Sequence, residues 1–182
     1  YSTGRSSKVT IRHVHLSDSR YGLYMRDVGG SVLDTISIDN SRIRNIQDRS
    51  IRIHDGISTH IRMSGNEFDR GVELGWMYDW SETPLSIEIR GNNFLNAELS
   101  ISTEQNDDQD DFEVEIKENN NISRVYVYGA SQLISQGNKI SSSYNVHWLD
   151  QIYSRRDSLV SQNAEWTGWY AERVKHNVCF KF

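Results

Sequence analysis

One cysteine, one proline and 12 glycines in 182 residues remove several architectures at once. The lone Cys179 has no internal partner for a disulfide and no companions for a cysteine-based zinc cluster. So little proline and glycine excludes a collagen-like or linker-like chain. No apolar run approaches the roughly 18 residues of a membrane-spanning helix. The strongest helix formers are scarce too: Ala and Leu total 14, against 29 for Ile and Val. That balance favours pleated surfaces and argues against an all-helical fold. There is also no basic excess, since 20 Lys and Arg face 25 Asp and Glu for a net charge of −5, so no nucleic-acid partner is expected. Fifteen of the 20 cations are arginine, suited to surface ion pairs and to bidentate contacts with carboxylates, sulfates or phosphates.

What the chain does have is a period. The pattern apolar-x-apolar-x-x-Asn-x-apolar runs through Ile61, Met63, Asn66 and Phe68, and again through Ile87, Ile89, Asn92 and Phe94. Weaker copies pass through Val9, Ile11 and Val14, through Ile36, Ile38 and Ser41, and through Val114, Ile116 and Asn119. A degenerate copy runs from Leu133 to Asn138 and Ile140. The Asn-equivalent positions 14, 41, 66, 92, 119 and 138 are separated by 27, 25, 26, 27 and 19 residues, a solenoid period. A second alternating strip follows each turn, as at Leu23 and Met25, Ile51 and Ile53, Val72 and Leu74, Leu99 and Ile101, and Val125 and Val127. Stacked repeats would form parallel sheets about 4.8 Å from strand to strand, with alternate residues pointing into a continuous core. Asn at the turn is expected both to adopt the left-handed conformation and to link its amide to the next coil in a ladder. Leucine-rich repeats share part of this pattern. The Leu they need three residues earlier is Ser58, Pro84 and Asp111 here, and the second half of each repeat alternates like a strand.

These residues resemble the pectate-lyase-like right-handed parallel β-helix superfamily, from Val9 to Ile140, with Gly71 to Leu74 and Ser50 to Ile53 matching its second phrase. The resemblance implies an all-β, right-handed parallel β-helix of about five to six coils. It leaves activity open among polysaccharide lyases, glycoside hydrolases, uronate epimerases and phage tailspikes. The expected division is residues 1–140 as coils and 141–182 as a C-terminal cap. In that cap Val146, Leu149, Ile152, Tyr153 and Leu159 suggest a helix, Trp166, Trp169 and Tyr170 an aromatic cluster, and Asn177 to Phe182 a final strand. No equivalent cap precedes Val9, so the chain is expected to be the C-terminal part of a longer protein.

Outward residues of equivalent strands stack into columns. On the first strand, Ser37, Arg62, Glu88 and Glu115 lie beside Arg12, Asp39, Ser64, Arg90 and Lys117, a pattern of cross-strand ion pairing. On the second alternating strip the columns are Tyr24, Arg52, Glu73, Ser100 and Tyr126, and beside them Arg26, His54, Gly75, Ser102 and Tyr128. Asp55 and Trp76 lie at the strand exit, next to a long turn with Tyr78 and Trp80. Sugar C–H faces stack on aromatic rings while hydroxyls and carboxylates seek fixed donors and acceptors. A lyase or epimerase would draw its base from His54, Tyr24 or Arg52, with another arginine on the substrate carboxylate. A hydrolase would use Asp55 and Glu73 as its carboxylate pair. The structural alternative is a surface ladder in which Arg52 pairs with Glu73 and His54 with an adjacent Asp. Trp76, Tyr78, Trp80, Arg26, Tyr126 and Tyr128 are the candidate substrate contacts.

Metal signals are sparse. His13 and His15 alternate on a strand without a visible third ligand, so no metal site is assigned. The acidic turn at residues 104–111 offers oxygens for calcium but lacks the loop pattern of a known site, and Asn121 to Ser123 fits a glycosylation sequon. The expected function is an extracellular carbohydrate-active module, bacterial or phage, binding and processing an acidic polysaccharide. The alternative is a non-catalytic tailspike or adhesin stem that forms a homotrimer.

Overall fold

In the computed structural model, residues 8–26, 34–54, 60–77, 86–103, 112–149, 151–155, 158–159 and 165–170 are described. The predicted period is realised as strands. The first of each repeat are β1 (Lys8–Arg12), β4 (Thr35–Asp39), β7 (His60–Ser64), β10 (Ser86–Arg90), β12 (Glu113–Lys117), β14 (Gln132–Gln136) and β16 (Gln151–Arg155). These seven stack in that order into one sheet, every pair parallel. A second row begins with β2 (His15–Ser17), β5 (Arg42–Arg44) and β8 (Glu67–Phe68). A third begins with β3 (Tyr21–Arg26), β6 (Arg49–His54) and β9 (Gly71–Met77). The two rows merge in the long strands β11 (Asn93–Thr103), β13 (Asn120–Tyr128) and β15 (Lys139–Leu149), and part again at β17 (Ser158–Leu159) and β18 (Glu165–Tyr170). The chain is therefore an all-β parallel solenoid, with no helix among the described residues.

Alternation decides what goes inside. Ile36, Ile61, Ile87, Val114 and Leu133 form one inward column and Ile38, Met63, Ile89 and Ile116 the next, all at 0% exposure. The third row, or third sheet of the coil, supplies Ile51, Val72, Leu99, Val125 and Tyr144, together with Ile53, Leu74, Ile101, Val127 and Val146. Phe68 and Phe94 meet edge to face at 5.3 Å in the middle of the stack. Burying each such aliphatic side chain contributes about 1.5–3 kcal/mol. In the coil of β1 to β3 the equivalent Val9, Ile11, Leu16, Leu23 and Met25 are only partly buried, because among the described residues they are packed from one side.

The asparagine ladder forms at Asn66, Asn92, Asn119 and Asn138. The Nδ2 of each of the first three donates to the next coil's Oδ1, at 3.0, 3.0 and 2.9 Å in turn, and Asn138 Nδ2 donates to Ser135 Oγ at 3.1 Å. Each Nδ2 also donates back to a main-chain carbonyl of the preceding coil, at Ile38, Met63, Ile89 and Ile116. Each Oδ1 in turn accepts the main-chain N–H of Ser41, Asn66, Asn92 or Asn119. The buried primary amides of Asn92, Asn119 and Asn138 thus use all of their hydrogen-bonding capacity. Ser41 takes over on the coil before Asn66, its Oγ accepting from Val14 N–H at 3.2 Å, and Val14 has no side-chain acceptor to carry the series back further.

The left-handed residue is not the ladder asparagine. It is the residue before it: His13, Asn40, Gly65, Gly91, Glu118 and Gly137, with φ between 48° and 67°. Turning at that position leaves the ladder residue with ordinary backbone geometry and its side chain aimed along the stack.

The helix expected after Asn145 is replaced by strands. Residues 145–149 belong to β15, with Tyr144 and Val146 aligned on Val125 and Val127, and 151–155 form β16, with Ile152 aligned on Leu133. Two strands separated by a single position reproduce helical spacing by coincidence, and parallel pairing to the previous coil satisfies their backbone groups. Trp166, Trp169 and Tyr170 lie on β18, in register with Tyr144, His147 and Leu149. The proposed final strand from Asn177 to Phe182 lies outside the described residues.

Candidate functional site

The outward columns of the third sheet follow the expected register. Tyr24 aligns with Arg52, Arg52 with Glu73, Glu73 with Ser100 and Ser100 with Tyr126. Beside them Arg26 aligns with His54 and His54 with Gly75, and Ser102 aligns with Tyr128.

Strands β3, β6 and β9 bring one cluster together. Glu73 is its hub: Oε1 lies 2.9 Å from His54 Nε2 and accepts from Arg52 Nη2 at 3.5 Å, while Oε2 accepts from Arg49 Nε at 3.2 Å. Arg52 Nε lies 3.2 Å from the same His54 Nε2, and Arg52 Nη1 reaches the Tyr21 hydroxyl at 3.4 Å. The cluster sits at the surface with 30% exposure at the Arg52 side chain, 22% at Glu73 and 13% at His54. Burial opposes the Arg52 charge, yet Glu73, Tyr21 and Asp48 outweigh it and raise the guanidinium above its ordinary value, so it stays cationic at every working pH.

Two glycines make the cluster fit. A Cβ at Gly75 would stand 3.1 Å from His54 Nε2, and one at Gly71 3.1 Å from Arg49 Nη1. Strand β9 therefore presents bare backbone on either side of Glu73, and the His54 ring and the Arg49 side chain lie across it.

Tyr24 extends the cluster outward. It is 49% exposed and stacks on Tyr21 at 5.3 Å with 28° between the rings. Tyr21 also carries the guanidinium of Arg20 at 5.4 Å and that of Arg52 at 6.0 Å from its ring centre. Tyr126 and Tyr128 share the face but not the cluster, since Tyr126 stands four strand spacings, about 19 Å, from Tyr24. Burial, with Tyr128 alongside, raises the Tyr126 phenol above its ordinary value, so it keeps its proton at neutral pH.

Arg49, Tyr21 and Arg20 were not among the residues singled out by the columns. Arg49 sits across a register irregularity from Ile51, so simple alternation hides it. Its signal was an arginine opposite a glycine, Gly71, in the next coil. Among the expected contacts, Trp76 lies on β9, and Asp55, Tyr78 and Trp80 lie outside the described residues.

The first sheet's outward face carries ion pairs, two between strands, Arg12 Nε to Asp39 at 3.1 Å and Arg62 to Glu88 at 3.7 Å, and one within β12, Lys117 to Glu115 at 2.7 Å. His13 occupies a left-handed turn while His15 belongs to β2. Among the described residues no three His, Cys, Asp or Glu side chains are grouped to hold a metal ion. The acidic turn at 104–111 lies outside the described residues.

Comparison with protein-family models, with curated proteins and with solved structures finds no match to this chain. The functional reading therefore rests on the geometry of the third-sheet face.

Proposed function

We propose that the chain is an extracellular, carbohydrate-active β-helix module of bacterial or phage origin, related in architecture to the pectate-lyase-like group and wound right-handed as parallel crossovers prefer. An acidic polysaccharide lies along the third-sheet face. The observation that carries this reading is the exposed Tyr24 ring stacked on Tyr21, whose own ring carries the guanidinium groups of Arg20 and Arg52. An aromatic face beside a fixed cation suits a sugar ring bearing an acid group. Tyr126 and Tyr128 offer a second contact further along the same polymer.

Processing of the bound chain would fall to Tyr24 or His54 as base and to Arg52 as carboxylate partner. A panel of uronate-containing and sulfated glycans tests binding and turnover together. Calorimetry reads affinity, absorbance the unsaturated product of a lyase, and reducing ends a hydrolase. Tyr24→Ala and Arg52→Ala should each weaken binding about tenfold or more. Chelation during the same assays tests calcium at the 104–111 turn. No binding to any acidic glycan would overturn the proposal.

The second reading is a non-catalytic tailspike or adhesin stem, and the Glu73 geometry favours it. Its carboxylate is taken up by Arg49, Arg52 and His54 and is not held ready for acid or base work. Sedimentation separates the two: a trimer at micromolar concentration supports the stem, and a monomer removes it.

A further inference from the structure

The contacts of His54 contain a conflict that chemistry resolves in one way. Its Nε2 lies 2.9 Å from Glu73 Oε1 and 3.2 Å from Arg52 Nε. An arginine Nε–H can only donate and an ionised carboxylate can only accept, so one ring nitrogen cannot bond to both. The closer partner is the carboxylate, and a charge-assisted bond to it is the stronger of the two. That choice puts the proton on Nε2 and leaves Arg52 Nε–H facing another N–H.

Arg52 is left poorly bonded as a result. Its remaining contacts, 3.4 Å to the Tyr21 hydroxyl and 3.5 Å to Glu73 Oε1, lie at the outer limit of hydrogen bonding. Glu73, by contrast, is engaged on both oxygens, by His54 and by Arg49. Two arginines, Arg49 and Arg52, share hydrogen bonds with the one carboxylate of Glu73, while Asp48 acts on Arg52 through charge, and the arginine whose donors are not well used is the one beside the exposed tyrosine pair.

We propose that Arg52 is the anion-recognition residue of this face, taking a sulfate or carboxylate group carried on a glycan. His54 is a positioning residue: by occupying Glu73 Oε1 it prevents that carboxylate from pairing bidentately with Arg52. Gly75 belongs to the same device, because a Cβ there would stand 3.1 Å from His54 Nε2 and press on the imidazole. The anion assignment stands on the cluster geometry, while the glycan as its carrier rests on the function proposed above.

The test uses nitrogen-15 NMR of the folded chain, reading the His54 ring and the Arg52 Nε–H during titrations with sodium sulfate, with oligogalacturonate, and with sodium chloride at matched ionic strength. The expected result is a His54 proton on Nε2 in the free protein, and an Arg52 Nε–H resonance that moves with sulfate and oligogalacturonate but not with chloride. Glu73→Gln should tighten sulfate binding several-fold by removing the competing charge. Arg52→Gln should weaken it about tenfold or more, and His54→Phe should weaken it although Arg52 is still present. A His54 ring protonated on Nδ1 alone, or a Glu73→Gln variant that binds sulfate less well, overturns the proposal. The opposite signs expected for Glu73→Gln and Arg52→Gln keep the test decisive even if His54→Phe does not fold. Sulfate moving Arg52 with no acidic glycan binding overturns the carbohydrate reading and leaves the Arg52–His54 relation standing. Oligogalacturonate binding without moving Arg52 does the reverse.

Discussion

Asn92 shows how much one side chain can organise in a solenoid. Its amide accepts from Asn66 N–H and Asn66 Nδ2 and donates to Met63 O and Asn119 Oδ1. Asn92→Ala would strand buried donors and acceptors on both neighbouring coils, each costing about 1–3 kcal/mol. Denaturant unfolding should show a loss of about 3 kcal/mol or more, well above what removal of one amide from the surface would cause. The turn residue just before the ladder gives a graded comparison. At Gly91 the backbone is left-handed but a Cβ would meet nothing within 4 Å, so Gly91→Ala should cost only the conformational term, about 1–2 kcal/mol. At Gly65 the same change also drives a Cβ to 2.5 Å from Asn40 Oδ1, and the loss should be larger. The ladder was legible in the sequence because it repeats one residue type. The left-handed position was assigned one residue too late, because His, Asn, Gly and Glu all occupy it and no shared chemistry marks it.

Among the elements, β5 and β8 are joined through an ion pair whose pH response has a definite sign. The hydrogen bond from Arg44 holds the Glu67 carboxyl below its ordinary value of 4.5, against the opposing effect of its partial burial. A carboxyl depressed by folding contributes stability above its unfolded pKa and loses it as pH falls through its folded pKa. The melting-temperature gap between wild type and Glu67→Gln should therefore be complete at neutral pH and close as pH drops through and below about 4.5. The gap should be small, because both partners reach solvent. Strands β15 and β16 show where element prediction failed. Helical spacing and two abutting strands give the same apolar pattern over residues 145–155, and only the pairing partners β13 and β14, distant in sequence, distinguish them. The same limit hid Arg49, whose place in the cluster depends on an irregular register with β9.

For the molecule as a whole, a stack of coils is stable in proportion to its neighbours. Amide exchange should be slowest in β7, β10 and β12, which are paired on both sides, and faster in β1. There the inward Val9 and Ile11 remain partly exposed. Equal protection throughout would mean that the coils open together. The architecture was readable because period and alternation are global signals. The site was readable only as columns of residues, since the sequence carries register but not the bonding choices of Glu73.

The asparagine row also has a polarity. In each of its three amide-to-amide bonds the Nδ2 belongs to the earlier coil and the Oδ1 to the later one, so the four amides are linked head to tail along the stack. Their negative end, Asn66 Oδ1, faces Ser41 N–H, and their positive end, Asn138 Nδ2, is received by Ser135 Oγ and Ile116 O. Aligned amides polarise one another, so interrupting the row at its centre costs more than shortening it at an end. Asn66→Ser, which merely moves the existing Ser41 terminus one coil inward, should be milder than Asn92→Ser, which divides the row into two uncoupled halves.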